Sequence, residues 1–209
     1  MIAALAASCN NSGSGESRPT DTATQYSVEE AADAPALAAT FPDLFGYLEG
    51  QDSSFSTSRF SEEDVINSDT GMVHSIDTAG LKEYRPYLIY NPSRTYAIDA
   101  VTNSFVIRQR NGKAELVEGG PDTEVALLDL RNNRWKRIFF GGTMSAFLDA
   151  RWENDSTFVF AHATMVGIDS IQPQITRYRL GDSTITRFNY AGALKANISS
   201  YAESQLNKK

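Results

Sequence analysis

The sequence predicts a mainly β protein built as two blade-like antiparallel meanders, forming a sandwich or an incomplete propeller, with short flanking helices. Three observations lead there. From Val65 to Tyr190 the chain runs in short stretches rich in Val, Ile, Thr, Phe and Tyr, broken by Asn, Asp and Gly, the texture of strands joined by tight turns. Two parts of that region resemble one another in sequence. Helix-type signals are confined to the segments on either side.

Taken in order, the chain opens with an apolar run that ends in small residues before its only cysteine, Leu5-Ala6-Ala7-Ser8-Cys9. This stretch resembles the lipobox of bacterial lipoproteins, in which a thiol at the membrane surface is acylated after cleavage beside small side chains. The resemblance implies a signal peptide over residues 1–8, lipidation of Cys9 with palmitate among the acyl chains, and a lipid-anchored place in the cell envelope. Asn10 stands where an aspartate would signal inner-membrane retention, so the resemblance implies the outer membrane and leaves the leaflet open; a periplasm-facing accessory role is the favoured expectation. Ala6 stands where Leu is usual, and no Lys or Arg precedes the apolar run, so the true start is expected upstream of Met1.

Residues 9–24 hold no large apolar side chain and read as a lipidated Cys followed by a flexible tether; fifteen such residues span roughly 20 Å. Residues 25–64 form an acidic lead-in with scattered helical signals over Val28 to Ala39, a short helix near 42–49 and a polar, Ser-rich loop over 51–64. An all-β domain is expected over 65–190. In 191–209, Leu194, Ile198 and Tyr201 fall at helical spacing and predict a C-terminal helix with one apolar face.

The repeat places Tyr90-Asn91-Pro92-Ser93-Arg94-Thr95-Tyr96 over Trp152 to Phe158, an offset of 62 residues. It places Val125 to Ile138 over Ile175 to Phe188, an offset of 50. An insertion over Phe105 to Pro121 in the first copy reconciles the two. Each copy then reads as a four-stranded meander, and over about 87–190 this pattern is similar to the blades of TolB-like and dipeptidyl-peptidase-like β-propellers. Two blades are too few to close a propeller.

Net charge is −7, but residues 1–83 carry 14 acids against 3 bases and residues 84–209 carry 12 acids against 16 bases. No concentrated basic face emerges, so nucleic acid is not an expected partner. His74 and His162 are isolated from each other and from Cys9, and no zinc, calcium or phosphate-loop spacing occurs, so neither a metal nor a cofactor is expected. His162 follows Phe158 and Phe160 at spacing two and is expected on their strand face as a satisfied core or rim histidine.

Two groups of side chains are candidates for ligand binding. Asp149, Glu153 and Asp155 cluster around Arg151 and Trp152, residue types that serve glycoside hydrolysis or sugar binding when two acids converge beside an aromatic ring. The same residues have a structural use, with Asn154 to Ser156 as a turn, Arg151 neutralising an acid and Trp152 filling the core. Arg108 with Arg110, and Arg177 with Arg179, each project from one strand face and would form a basic stripe if their strands were neighbours. The combined expectation is a non-catalytic binding or scaffold protein that contacts the membrane through its lipid and another envelope protein or glycan. The alternative is a glycan-binding protein or carbohydrate-active enzyme using the Trp152 region.

Overall fold

The structure is a computed structural model that describes residues 34–67 and 73–198 together with 201, 204, 205 and 207; residues 1–33, with the expected signal peptide, Cys9 and tether, lie outside the described residues. Two helices come first, α1 (Ala34–Thr40) and α2 (Pro42–Gln51), followed by β1 (Phe60–Asn67), β2 (Val73–Ser75) and the helical turn α3 (Thr78–Leu81). The first meander and its insertion comprise β3 (Ile89–Tyr90), β4 (Tyr96–Asp99), β5 (Phe105–Arg110), β6 (Lys113–Glu118), β7 (Thr123–Asp129) and β8 (Arg134–Gly141). The second comprises β9 (Ser145–Trp152), β10 (Thr157–Met165), β11 (Ser170–Arg179) and β12 (Thr184–Tyr190), after which β13 (Leu194–Lys195) pairs with β11.

The fold is mainly β, and its sheets reproduce the repeat. One sheet has the order β2-β8-β7-β4-β3 and the other β1-β12-β11-β10-β9, so each meander is extended at its last strand by a strand from upstream. The insertion expected over Phe105 to Pro121 is the separate ribbon β5-β6, whose two-residue turn, Asn111-Gly112, takes positive φ at both positions (51° and 75°). Equivalence extends to backbone detail. Asn133 (φ 53°) and Ser183 (φ 55°), offset by 50, occupy the same left-handed position in the last turn of each meander.

The two sheets pack face to face over a core that includes Ile98, Val125, Leu127, Phe147, Phe158, Phe160 and Tyr178. A second core covers the opposite face of the β9–β12 sheet, where Leu148, Val159, Ile175, Phe188 and Tyr190 meet Leu37, Phe41, Leu44 and Leu48 of the helical lead-in. The middle strands β10 and β11 therefore alternate between two apolar environments, which accounts for the nearly continuous burial of β10.

Two expectations are corrected. The stretch read as loop over 51–64 holds a 3₁₀ turn at Thr57–Arg59 and the start of β1, which pairs with β12 through a bulge near Glu63. Its residues 61–63 are exposed, so no apolar alternation marked the strand. The C-terminal segment does not begin as a helix: Gly192 sits at φ +97°, Leu194 belongs to β13, and the Lys195 N–H is held by Asp52 at 2.9 Å. Leu194, Ile198 and Tyr201 are nonetheless all buried, as the apolar spacing implied.

Candidate functional site

A groove of about 510 Å³ opens where the first strands of the two meanders, β3 and β9, approach each other. Ile89, Tyr90 and Pro92 form one wall, Phe147 through Trp152 the other, and Gln205 reaches in from the C-terminal segment. β3 and β9 are the edge strands of their sheets, so the groove lies along two open edges. Trp152 ties them together: its indole N–H donates to the Ile89 carbonyl at 2.8 Å while its ring packs on Phe158, 5.1 Å between centroids. Tyr90 and Trp152 are equivalent residues in the repeat, each the aromatic that precedes its turn.

The outer edge of β9 is blunted against pairing with another strand. Leu148 is the extra residue of a bulge opposite Ala161 and His162, the Ala150 N–H donates to its neighbour Asp149 Oδ1 at 2.8 Å, and the Ser145 carbonyl accepts from the Thr123 hydroxyl at 2.8 Å. Recognition in the groove therefore falls to side chains. Tyr90 presents a ring covered on one face by the Arg94 guanidinium, 4.2 Å from its centroid. Arg151 is half-exposed and pairs with Asp149 at 3.5 Å. Beneath them Tyr201 is buried; burial, and then the Asp149 and Asp43 carboxylates, hold its phenol above the usual range.

The predicted acids separate into three roles. Asp149 lines the groove. Glu153 instead receives Arg177, at 2.9 and 3.2 Å, on the next-but-one strand. Asp155 joins the two repeats: its Oδ1 accepts the Ser93 N–H at 2.7 Å and the Asn91 side-chain amide at 3.2 Å, fastening the turn after β3 to the turn after β9. Asn91 is itself buried and accepts from the Thr95 and Tyr96 N–H groups. Glu153 and Asp155 do not line the groove with Asp149; each is held by a partner distant in sequence that was not foreseen.

The basic stripe is not formed. Arg108 and Arg110 lie on the isolated β5-β6 ribbon, exposed, with Arg110 4.0 Å from Glu115. Arg177 and Arg179 lie in the β9–β12 sheet, where Arg177 is drawn to Glu153 and packs near Phe188 while Arg179 faces Asp182 at 3.7 Å. The insertion places Arg108 and Arg110 on a ribbon separate from the sheet that carries Arg177 and Arg179.

His162 lies in the core, 3% exposed, between Phe139 (4.2 Å between centroids) and Phe160 (5.6 Å), with its Nδ1 unsatisfied among the described residues where a satisfied ring was expected. Burial, reinforced by the charge of Arg187, pushes its pKa down to about 3. His74 is exposed and stacks on Trp135. Among the described residues no group of three His, Cys, Asp or Glu is placed to hold a metal ion.

Sequence reasoning missed Ile89, Tyr90, Phe147 and Gln205 as lining residues. The equivalence of Tyr90 with Trp152 was the available signal for Tyr90; Gln205 had none. No protein-family model matches this chain, and neither a curated protein nor a solved structure is significantly similar to it.

Proposed function

We propose that this protein is a non-catalytic binding module of a bacterial cell envelope, held to a membrane by lipid on Cys9 and receiving another envelope component in the groove between β3 and β9. The observation that carries the binding site is the groove itself: a cavity of about 510 Å³ with the aromatic residues Tyr90, Phe147 and Trp152 and the Arg151–Asp149 pair on its walls. Its chemistry favours capture over turnover. Hydrolysis of a glycosidic bond uses two carboxylates across one site, and here the second and third acids are committed to Arg177 and to the Asn91 turn. The envelope address rests on the lipobox resemblance at Leu5 to Cys9.

The test is affinity capture of the native, detergent-solubilised protein beside an Arg151→Glu variant, which reverses the charge of a half-exposed groove residue. One envelope complex recovered by the native chain and lost by the variant supports the reading, and equal recovery by both removes the groove from it. Intact mass of the native protein tests the address, since acylation adds the mass of its chains to Cys9. A second reading, glycan capture, is favoured by the rings of Tyr90 and Trp152 beside Arg151 and Gln205; recovery of soluble glycan alone would select it.

A further inference from the structure

At one end of the β9–β12 sheet two turns carry large apolar side chains into solvent. Phe140 and Met144 flank the turn between β8 and β9, exposed by 54% and 50%, while Val166 and Ile168 lie in the turn between β10 and β11, exposed by 51% and 100%. The turns lie side by side, because the Met165 N–H donates to the Met144 carbonyl at 2.6 Å. The Val166 N–H closes its own turn onto the Ser170 carbonyl at 2.9 Å, which leaves Gly167-Ile168-Asp169 as the tip. Across residues 141–144 and 166–170 the only charged side chain is Asp169.

We propose that these two turns seat the domain on a lipid bilayer, with Ile168 and Val166 entering the interfacial region and Phe140 and Met144 at its rim. The shape argues for lipid. Ile168 stands on a protruding tip with its whole surface in water, a geometry that a soft layer accommodates without a preformed pocket, and burying such a side chain strengthens binding about tenfold or more.

The path of the chain argues for it independently. α1, where the described chain begins, packs against the turn Thr57–Arg59, which leads into Phe60. Phe60 pairs with Tyr190, and the neighbouring strand β11 starts from the β10–β11 turn, so α1 enters on the end of the sheet that carries Ile168. Residues 10–33 connect that end to Cys9, a path of 24 residues that can span at most about 80 Å. This part of the inference rests on the lipid anchor proposed above. An anchor within that reach holds the apolar turns at the bilayer surface at high effective concentration, so weak insertion suffices.

The test labels the full chain with an environment-sensitive dye at Ile168→Cys, which is site-specific because an acylated Cys9 leaves no other thiol. The lipidated chain is reconstituted into vesicles of phosphatidylethanolamine and phosphatidylglycerol. The dye at position 168 is expected to be quenched by lipid-borne nitroxide and shielded several-fold from aqueous iodide, whereas a dye at Asn132→Cys, in the exposed turn between β7 and β8, stays open to iodide. Equal iodide access at both positions overturns the proposal. So does shielding that appears only on adding envelope extract, because that identifies a protein partner. If the native mass shows an unmodified Cys9, the same chain with Cys9→Ser and an N-terminal hexahistidine tag on nickel-chelating lipid decides docking separately from the anchor: shielding at 168 sustains it, and its absence ends it. Val166→Asp in the tagged chain, with the dye still at Ile168→Cys, is expected to abolish the shielding while leaving the circular dichroism spectrum unchanged.

Discussion

Acidification from about pH 7.5 to about pH 4.5 is expected to weaken the fold through one side chain. His162 is buried between Phe139 and Phe160, its Nδ1 has no partner among the described residues, and its Nε2 lies a long 3.4 Å from the Thr176 hydroxyl. Its pKa falls from 6.5 to about 3 because the charged ring would be stripped of water, and secondarily because Arg187 repels it. The unfolded chain therefore takes up a proton near pH 6.5 that the folded chain refuses until about pH 3, so stability is complete above that window and drains away as pH falls through it. Inside the window the loss is at most about 1.4 kcal/mol per pH unit, or about 2.7 kcal/mol between pH 6.5 and 4.5. Asp52, held down to about 2 by the Lys195 N–H and by Ser54, loses its contribution only below this range. Urea unfolding at each pH measures the slope, with His162→Leu as the comparison. That variant removes the unsatisfied nitrogen at the cost of two ring contacts, so its stability near pH 7.5 should stay within about 1.5 kcal/mol of the native chain. Between pH 6.5 and 4.5 its midpoint should fall much less. Parallel losses in both proteins would show that His162 is not the responsible group.

Other perturbations follow from the same geometry. Arg137→Ala leaves the buried Glu124 carboxylate with Asn103 as its remaining side-chain partner in place of an Arg137 pair at 2.7 Å, and should cost about 1–3 kcal/mol in denaturant unfolding. Gly141→Ala would set a Cβ within 2.4 Å of Ser145 Cβ in the tight connection between the meanders, and should destabilise by about 1–3 kcal/mol, whereas Gly142→Ala, with open space around it, should cost much less. Asn207→Ala removes a side-chain amide that grips the Leu116 N–H and carbonyl at 2.9 and 3.1 Å, and hydrogen exchange at Leu116 should accelerate about tenfold with the β9–β12 sheet unaffected.

Much of the architecture was legible because it is written twice. The offsets of 62 and 50 residues located both meanders, the intervening insertion and the aromatic pair Tyr90 and Trp152 that frames the groove. Local chemistry was legible where neighbours in sequence are neighbours in space: Asp149 with Arg151, the Asn154 to Ser156 turn, and His162 beside Phe160. What could not be read depends on distant partners. β1 is a polar segment made into a strand by β12, and Leu194 keeps its burial by pairing with Ile171 where helical spacing had suggested a helix. The groove is formed from β3, β9 and Gln205, three stretches whose juxtaposition only the packing of one sheet on the other creates.

Photo-crosslinking in living cells tests the groove most directly. With Tyr90→p-benzoylphenylalanine in the native chain, irradiation should yield one discrete adduct joining position 90 to an envelope component, absent when the same probe replaces Asn132. No adduct at position 90, or the same adducts from both positions, would mean that the space between β3 and β9 is not where this protein meets its ligand.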